Sequence, residues 1–154
     1  MDRDSAIRNL IEATREVFGK MITIPLGEDP TFETEAEARR CEIVGMVSLA
    51  GRSMGVVSLH CSPRLGLLIA SNLLGSPVTE VGEELEDAVG EVTNMVAGNF
   101  KTRMSQEGEM FDLSVPTVIM GKDFSVKTMT GAPTLVLGFR WESEKLLVRL
   151  NMRL

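Results

Sequence analysis

Hydrophobic and polar positions along the chain switch between a helical period and an alternating one. The longest helical stretch is Glu83 to Arg103, EELEDAVGEVTNMVAGNFKTR. With Leu85 at angle zero and 100° per residue, Ala88, Val89, Val92, Met95, Val96 and Phe100 fall within about 80° of it. Asp87, Glu91, Asn94, Gly98 and Lys101 fall on the opposite face. A helix half buried on its apolar side presents Asp87, Glu91 and Asn94 outward, one turn apart.

A second helical pattern opens the chain. Ile7, Leu10, Ile11, Thr14, Val17, Phe18 and Met21 recur at helical spacing, with Arg8, Glu12 and Arg15 opposite. Ser5 or Asp4 is the expected cap, and Pro25 with Gly27 ends the segment or opens an irregular stretch. The polar, acidic stretch Glu28 to Arg40 reads as a loop leading into an edge strand. Cys41 to Leu49 and Met54 to Cys61 read as an antiparallel hairpin around Ala50-Gly51-Arg52-Ser53. Ser62-Pro63 starts a short helix, Arg64 to Leu74. Gly75-Ser76-Pro77 stops it. After the central helix, Ser105 to Glu109 is a polar link. Asp112 to Met120 reads as a strand whose Pro116 marks an edge or a bulge. Gly121 to Ala132 is a loop or an irregular strand. Pro133 to Trp141 and Lys145 to Met152 form a second hairpin around Glu142-Ser143-Glu144.

The two long helices resemble each other. Glu12 to Met21 is EATREVFGKM and Glu91 to Phe100 is EVTNMVAGNF. At an offset of 79 residues, Glu12 matches Glu91, Thr14 matches Thr93, Val17 matches Val96 and Gly19 matches Gly98. Arg15 stands where the other copy has Asn94. Each helix precedes a hairpin. The expected fold is α+β: duplicated helix-plus-hairpin units, with two long helices packed on an antiparallel sheet. The 154 residues suit a single domain.

Composition narrows the chemistry. A net charge of −6 opposes nonspecific nucleic-acid binding. With six Phe, one Trp and no Tyr, platforms for stacking bases are scarce. No apolar run reaches the ~20 residues that span a bilayer. The first residues lack the apolar core of a secretion signal, so the expected location is the cytoplasm. Cys41 and Cys61 have no metal-ligand spacing and are expected reduced in the core. One histidine, His60, gives no Ser-His-Asp set, and its apolar strand makes it a packed residue. No Gly-rich phosphate loop is present, and no cofactor or metal of the chain's own is expected.

The outward stripe of the central helix holds the candidate chemistry. A charged stripe is ordinarily just a solvated face. Here, however, Gly98 lies on it, where glycine costs about 1 kcal/mol against alanine. That choice makes sense where another backbone approaches closely. Asn94 is likewise a mediocre helix former with no cap to serve. Together they mark a docking surface.

Asp87-x3-Glu91-x2-Asn94, followed after 21 residues by Pro116, resembles the signature of the CheC/CheX/FliY phosphatases of bacterial chemotaxis. The Gly98-Asn99 pair resembles that family too. CheC-like members carry the Glu/Asn pair on both helices. Retention on one helix only is similar to CheX, whose members are dimers joined through their sheets. The resemblance implies a phosphatase acting on the phospho-aspartate of a CheY-like response-regulator receiver domain. Asn94 would orient the attacking water, and Glu91 would dock to the receiver's lysine. Asp87 would have a minor supporting role, Gly98 would permit close approach, and Pro116 would shape the fold. Mg²⁺ would sit on the partner receiver. The first helix, with Glu12 free to pair with Arg15, would be inactive. The alternative is a non-catalytic receiver-binding or flagellar-switch-like interaction module, which would bind a receiver without hastening phosphate loss.

Overall fold

Residues 2–30, 38, 40–128 and 130–154 are described by a computed structural model. The first helix, α1, spans Arg3–Glu16 and runs on as a π-helical turn, Val17–Met21. Then follow β1 (Gly27–Glu28), β2 (Ile43–Gly51), β3 (Met54–Cys61) and α2 (Pro63–Leu74). The long helix α3 spans Glu83–Ser105 and leads to β4 (Phe111–Leu113), β5 (Thr117–Met120), β6 (Thr134–Trp141) and β7 (Glu144–Met152). The seven strands form one antiparallel sheet in the order β1-β6-β7-β3-β2-β4, with β5 also on β2. The α+β architecture expected from the pattern is therefore the observed one. The acidic stretch Glu28 to Arg40 falls largely outside the described residues.

Strand alternation divides the sheet into two faces. Val57, Leu59, Leu146, Val148, Leu150, Ile43 and Val47 point to the helices and join Leu10, Phe18, Leu65, Val92 and Phe100 in one core. Leu147 points the other way and packs with Ala38, Cys41 and Val136. Both cysteines are buried, and neither is in a disulfide.

The central strands β3 and β7 relate the two halves of the chain. The β2–β3 and β6–β7 hairpins turn at Arg52-Ser53 and Glu142-Ser143, the first two residues and the second one residue narrower than the turn expected from sequence. The strand after each helix then crosses to the other half's hairpin. Gly27 and Glu28 pair with Arg140 and Phe139, and Asp29 N donates to Gly138 O at 2.8 Å. In the second half, Asp112 and Leu113 pair with Ala50 and Leu49, and Ser114 N donates to Ser48 O at 3.0 Å. The helices repeat a detail as well. Thr14 Oγ1 donates to Leu10 O at 2.8 Å and Thr93 Oγ1 to Val89 O at 2.7 Å. These are the two threonines that match in the sequence, and both are fully buried.

Three expectations are corrected. The cap of α1 is Asp2, whose carboxylate accepts from Ser5 N at 3.3 Å, and not Ser5 or Asp4. Ser5 lies a turn inside the helix and spends its hydroxyl on Glu107. Met21 is 58% exposed rather than part of the apolar face. The π-turn, closed by Ile22 N on Val17 O at 3.2 Å, widens the helix and shifts its phase there. Finally, Asp112 to Met120 is not one strand. It is interrupted at Ser114–Pro116, because proline has no N–H for the ladder.

His60 is a packed residue, as the pattern indicated. It is 2% exposed, and its Nε2 lies 2.9 Å from Ser58 Oγ. Burial first, and then the charge of Arg149, push its pKa down to about 3. The imidazole is therefore neutral when folded but takes a proton in the unfolded chain below about pH 6.5. Stability is full above about pH 6.5 and falls as the pH drops toward 3, because the unfolded state then binds the extra proton. The slope from this one group reaches about 1.4 kcal/mol per pH unit. His60→Gln should flatten the profile in urea melts between pH 6.5 and 4; an unchanged slope would assign the acid sensitivity elsewhere.

A second expectation concerns the seat of α3. A Cβ on Gly45 would lie 2.1 Å from Thr93 Oγ1 and 3.3 Å from Val89 Cγ1. Gly45→Ala should destabilise by about 1–3 kcal/mol, the usual cost of overpacking. In the Thr93→Ala background the same change should cost measurably less, as read by urea midpoints in a double-mutant cycle.

Candidate functional site

Helix α3 is positioned by its apolar face. Leu85, Ala88, Val89, Val92, Val96, Ala97, Phe100 and Met104 are all 3% exposed or less. Glu83, Glu84 and Glu86 in the first turn complement the helix dipole. Phe100 stacks on Phe111 of β4 with ring centroids 6.5 Å apart. Midway along the helix Gly45 admits Thr93 against β2. With one face fixed at two points, the orientation of the opposite face is fixed as well.

That face carries the stripe read from the sequence. Asp87 and Glu91 are exposed; Asn94, Gly98 and Lys101 are half-buried. Among the described residues, none hydrogen-bonds or ion-pairs with Asp87, Glu91 or Asn94. Glu91 and Asn94 are separated by about 4.5 Å along the helix axis. A carboxylate and a primary amide thus stand side by side with their side-chain hydrogen-bonding capacity unspent among the described residues. A Cβ at Gly98 would meet no atom within 4 Å, so nothing inside the protein requires glycine there. Its neighbour Asn99 is structural: Asn99 Nδ2 donates to Glu16 at 3.2 Å and Asn99 Oδ1 accepts from Arg103 Nε at 2.7 Å.

Pro116, the last residue of the signature, comes back beside this helix. A Cβ at Gly90 would lie 3.7 Å from the Pro116 ring and 3.3 Å from Val118 Cγ2. Proline therefore seats against the residue before Glu91. The sequence reading passed over Gly90. The signal that singled out Gly98, a costly glycine inside a helix, applied to Gly90 with equal force.

The first copy is wired differently. Glu12 and Arg15 were expected to pair with each other, and they do not. Arg103 reaches across from α3 and binds Glu12 through Nη1 and Glu16 through Nη2. Arg15 instead meets Glu28 of β1 at 3.2 Å. The two glutamates lie one turn apart on α1, so a single guanidinium from α3 spans both. The hydrogen bond from Arg103, reinforced by Asn99, holds the Glu16 carboxyl below the ordinary carboxylate range.

Among the described residues, no group of three His, Cys, Asp or Glu side chains is placed to hold a metal ion. No described helix is long and apolar enough to cross a membrane.

A family model, chemotaxis phosphatase CheX, matches residues 43–140. The chain belongs to the CheX family. The match runs from β2 almost to the end of β6, and so includes α3, its Asp87-Glu91-Asn94 stripe and Pro116. A CheX-family relative, the CheY-P phosphatase CheX of Thermotoga maritima, is 25% identical over 126 residues, 81% of this chain and 79% of the relative. The CheX crystal structure from Vibrio vulnificus superposes with a TM-score of 0.87 at 23% identity, covering 99% of both chains. A CheX–CheY–BeF3–Mg²⁺ complex from Borrelia burgdorferi matches with a TM-score of 0.78 at 24% identity, over 97% of this chain and 98% of the other. At such identities these structures speak for the CheX fold alone.

Proposed function

We propose that this CheX-family chain is an aspartyl-phosphate phosphatase acting on a CheY-like response-regulator receiver. The observation that carries this reading is the amide of Asn94, one turn from the carboxylate of Glu91, both without a side-chain partner among the described residues, on an open helix face. An amide donates and accepts at once, so it can hold a water in line with phosphorus without acting as a base. The glutamine that orients water in GTPases works in the same way. The water attacks phosphorus, the bond to the receiver's aspartate oxygen breaks, and inorganic phosphate leaves with the aspartate restored. Mg²⁺ held by the receiver, together with its lysine, would balance the phosphoryl charge. Glu91 would pair with that lysine and set the register of the two proteins. Asp87, a turn earlier, supports that contact, and Gly98 leaves room for the receiver's backbone.

The relative from Thermotoga maritima carries the name of a CheY-P phosphatase. The Borrelia burgdorferi complex pairs a CheX with a CheY bearing BeF3, an analogue of a phosphoryl group. Both support this choice of substrate, and a receiver substrate places the action in the cytoplasm. The first copy is assigned no activity: Arg15 has no amide to orient water, and Glu12 is occupied by Arg103. We also propose a homodimer joined through sheet edges. The β5 edge, with Met120 36% exposed, is the part that a second chain would cover. A solution mass of one chain would rule this out.

The decisive assay is phosphate release from phosphorylated receivers of the same organism. Asn94→Ala should slow the catalysed release about 100-fold or more, the order lost with one preorganised hydrogen-bonding group. It should leave binding intact and should not lower the melting temperature, since alanine is the better helix former. Glu91→Ala should raise KM about tenfold or more through loss of a charged partner. An Asn94→Ala enzyme with full activity would remove the mechanism.

A further inference from the structure

Between β4 and β5 the chain leaves the sheet for Ser114, Val115 and Pro116. Both flanks are tied to β2, through Leu113 opposite Leu49 and Thr117 opposite Met46. The bulge itself is braced. Ser48 N donates to Ser114 Oγ at 2.9 Å, Ser114 Oγ donates to Val115 O at 2.9 Å, and Ser114 N donates to Ser48 O at 3.0 Å. Pro116 fixes the next φ angle and rests on Gly90. At the apex of this braced bulge Val115 is 83% exposed.

Its place along α3 follows from its neighbours. Phe111 stacks on Phe100, while Pro116 and Val118 sit on Gly90. The chain between them runs alongside the helical turns from Phe100 back to Gly90. Asn94 lies on those turns, one turn after Gly90. Val115 therefore stands beside the candidate site. Single exposed apolar residues are common and by themselves mean nothing. This one differs in being held rigidly, at no gain to the core, next to an open polar stripe.

We infer that Val115 is a specificity-determining contact for the receiver: an apolar knob that packs on apolar surface bordering the phosphorylated aspartate. The inference rests on the function proposed above. In that arrangement Glu91 and Asn94 read the chemistry common to all receivers. Val115 reads the side chains by which one receiver differs from another. Being pre-ordered, it loses little entropy on contact.

The test titrates wild type, Val115→Ala, Val115→Asp and Asn94→Ala with CheY-like receivers of the same organism, charged with BeF3 and Mg²⁺. Phosphate release is followed in parallel. Val115→Ala should weaken binding about threefold to fivefold, as expected for losing part of one buried side chain. Val115→Asp should weaken it more than about tenfold by placing a charge against apolar surface. In both, kcat should stay within about twofold, and thermal unfolding should not change. Unaltered affinity in Val115→Asp overturns the inference, and if Asn94→Ala meanwhile abolishes turnover, the proposed function stands without it. Failure of the wild type to bind or dephosphorylate any receiver overturns both.

Discussion

The structure depends on how closely α3 lies on the sheet. A missing Cβ at Gly45 lets the Thr93 hydroxyl reach within a distance that no side chain would allow. That hydroxyl is then fully buried, and it is satisfied only by turning back to the Val89 carbonyl at 2.7 Å. A polar group in the core is thus made harmless by its own helix. The same contact fixes the rotation of α3 about its axis. The apolar face is locked, so the face with Asp87, Glu91 and Asn94 has one direction available to it. Pro116 on Gly90 braces the flank. The candidate site is thereby built on a rigid element while its side chains make no bonds among the described residues.

Duplication explains the frame, and divergence explains why it carries one candidate site. The halves exchange their short strands, so neither helix-plus-hairpin unit closes its own sheet. The equivalent helices retain their matched threonines and the hydrogen bonds those threonines make. They part company in polar wiring. On α1 both glutamates are bound by Arg103 from the sister helix. The partly shielded guanidinium, 26% exposed, makes this an interhelical strut rather than a solvated surface pair.

Much of this was legible in the sequence because periodicity reports burial. The face of α3, both hairpins and the repeat all follow from the spacing of apolar residues, and the outward stripe follows from what they leave over. The misses share a cause: they depend on contacts between distant segments. Nothing local says that Glu12 answers to Arg103, 91 residues away, rather than to Arg15 on its own helix. Nothing near Gly90 announces that Pro116 will sit on it. The π-turn that exposes Met21 is equally invisible to a pattern that assumes a constant 100° per residue. Two further signals were present and undervalued: the glycine at 90, and a proline directly after an apolar residue in an otherwise polar bend.

The contrast between the two helices also bears on what the site requires. A residue that must engage another protein's lysine or hold a water cannot already be bound within its own chain. Glu12 is bound, and the amide that would accompany it is an arginine, itself drawn to Glu28. Glu91 and Asn94 have no partner among the described residues. Leaving both unpaired forgoes the small stabilisation that a surface pair provides, about 0–1 kcal/mol. The first helix took that stabilisation and became structural. The second did not, and its groups, unbound among the described residues over a rigid seat, are what the proposed action on a receiver requires.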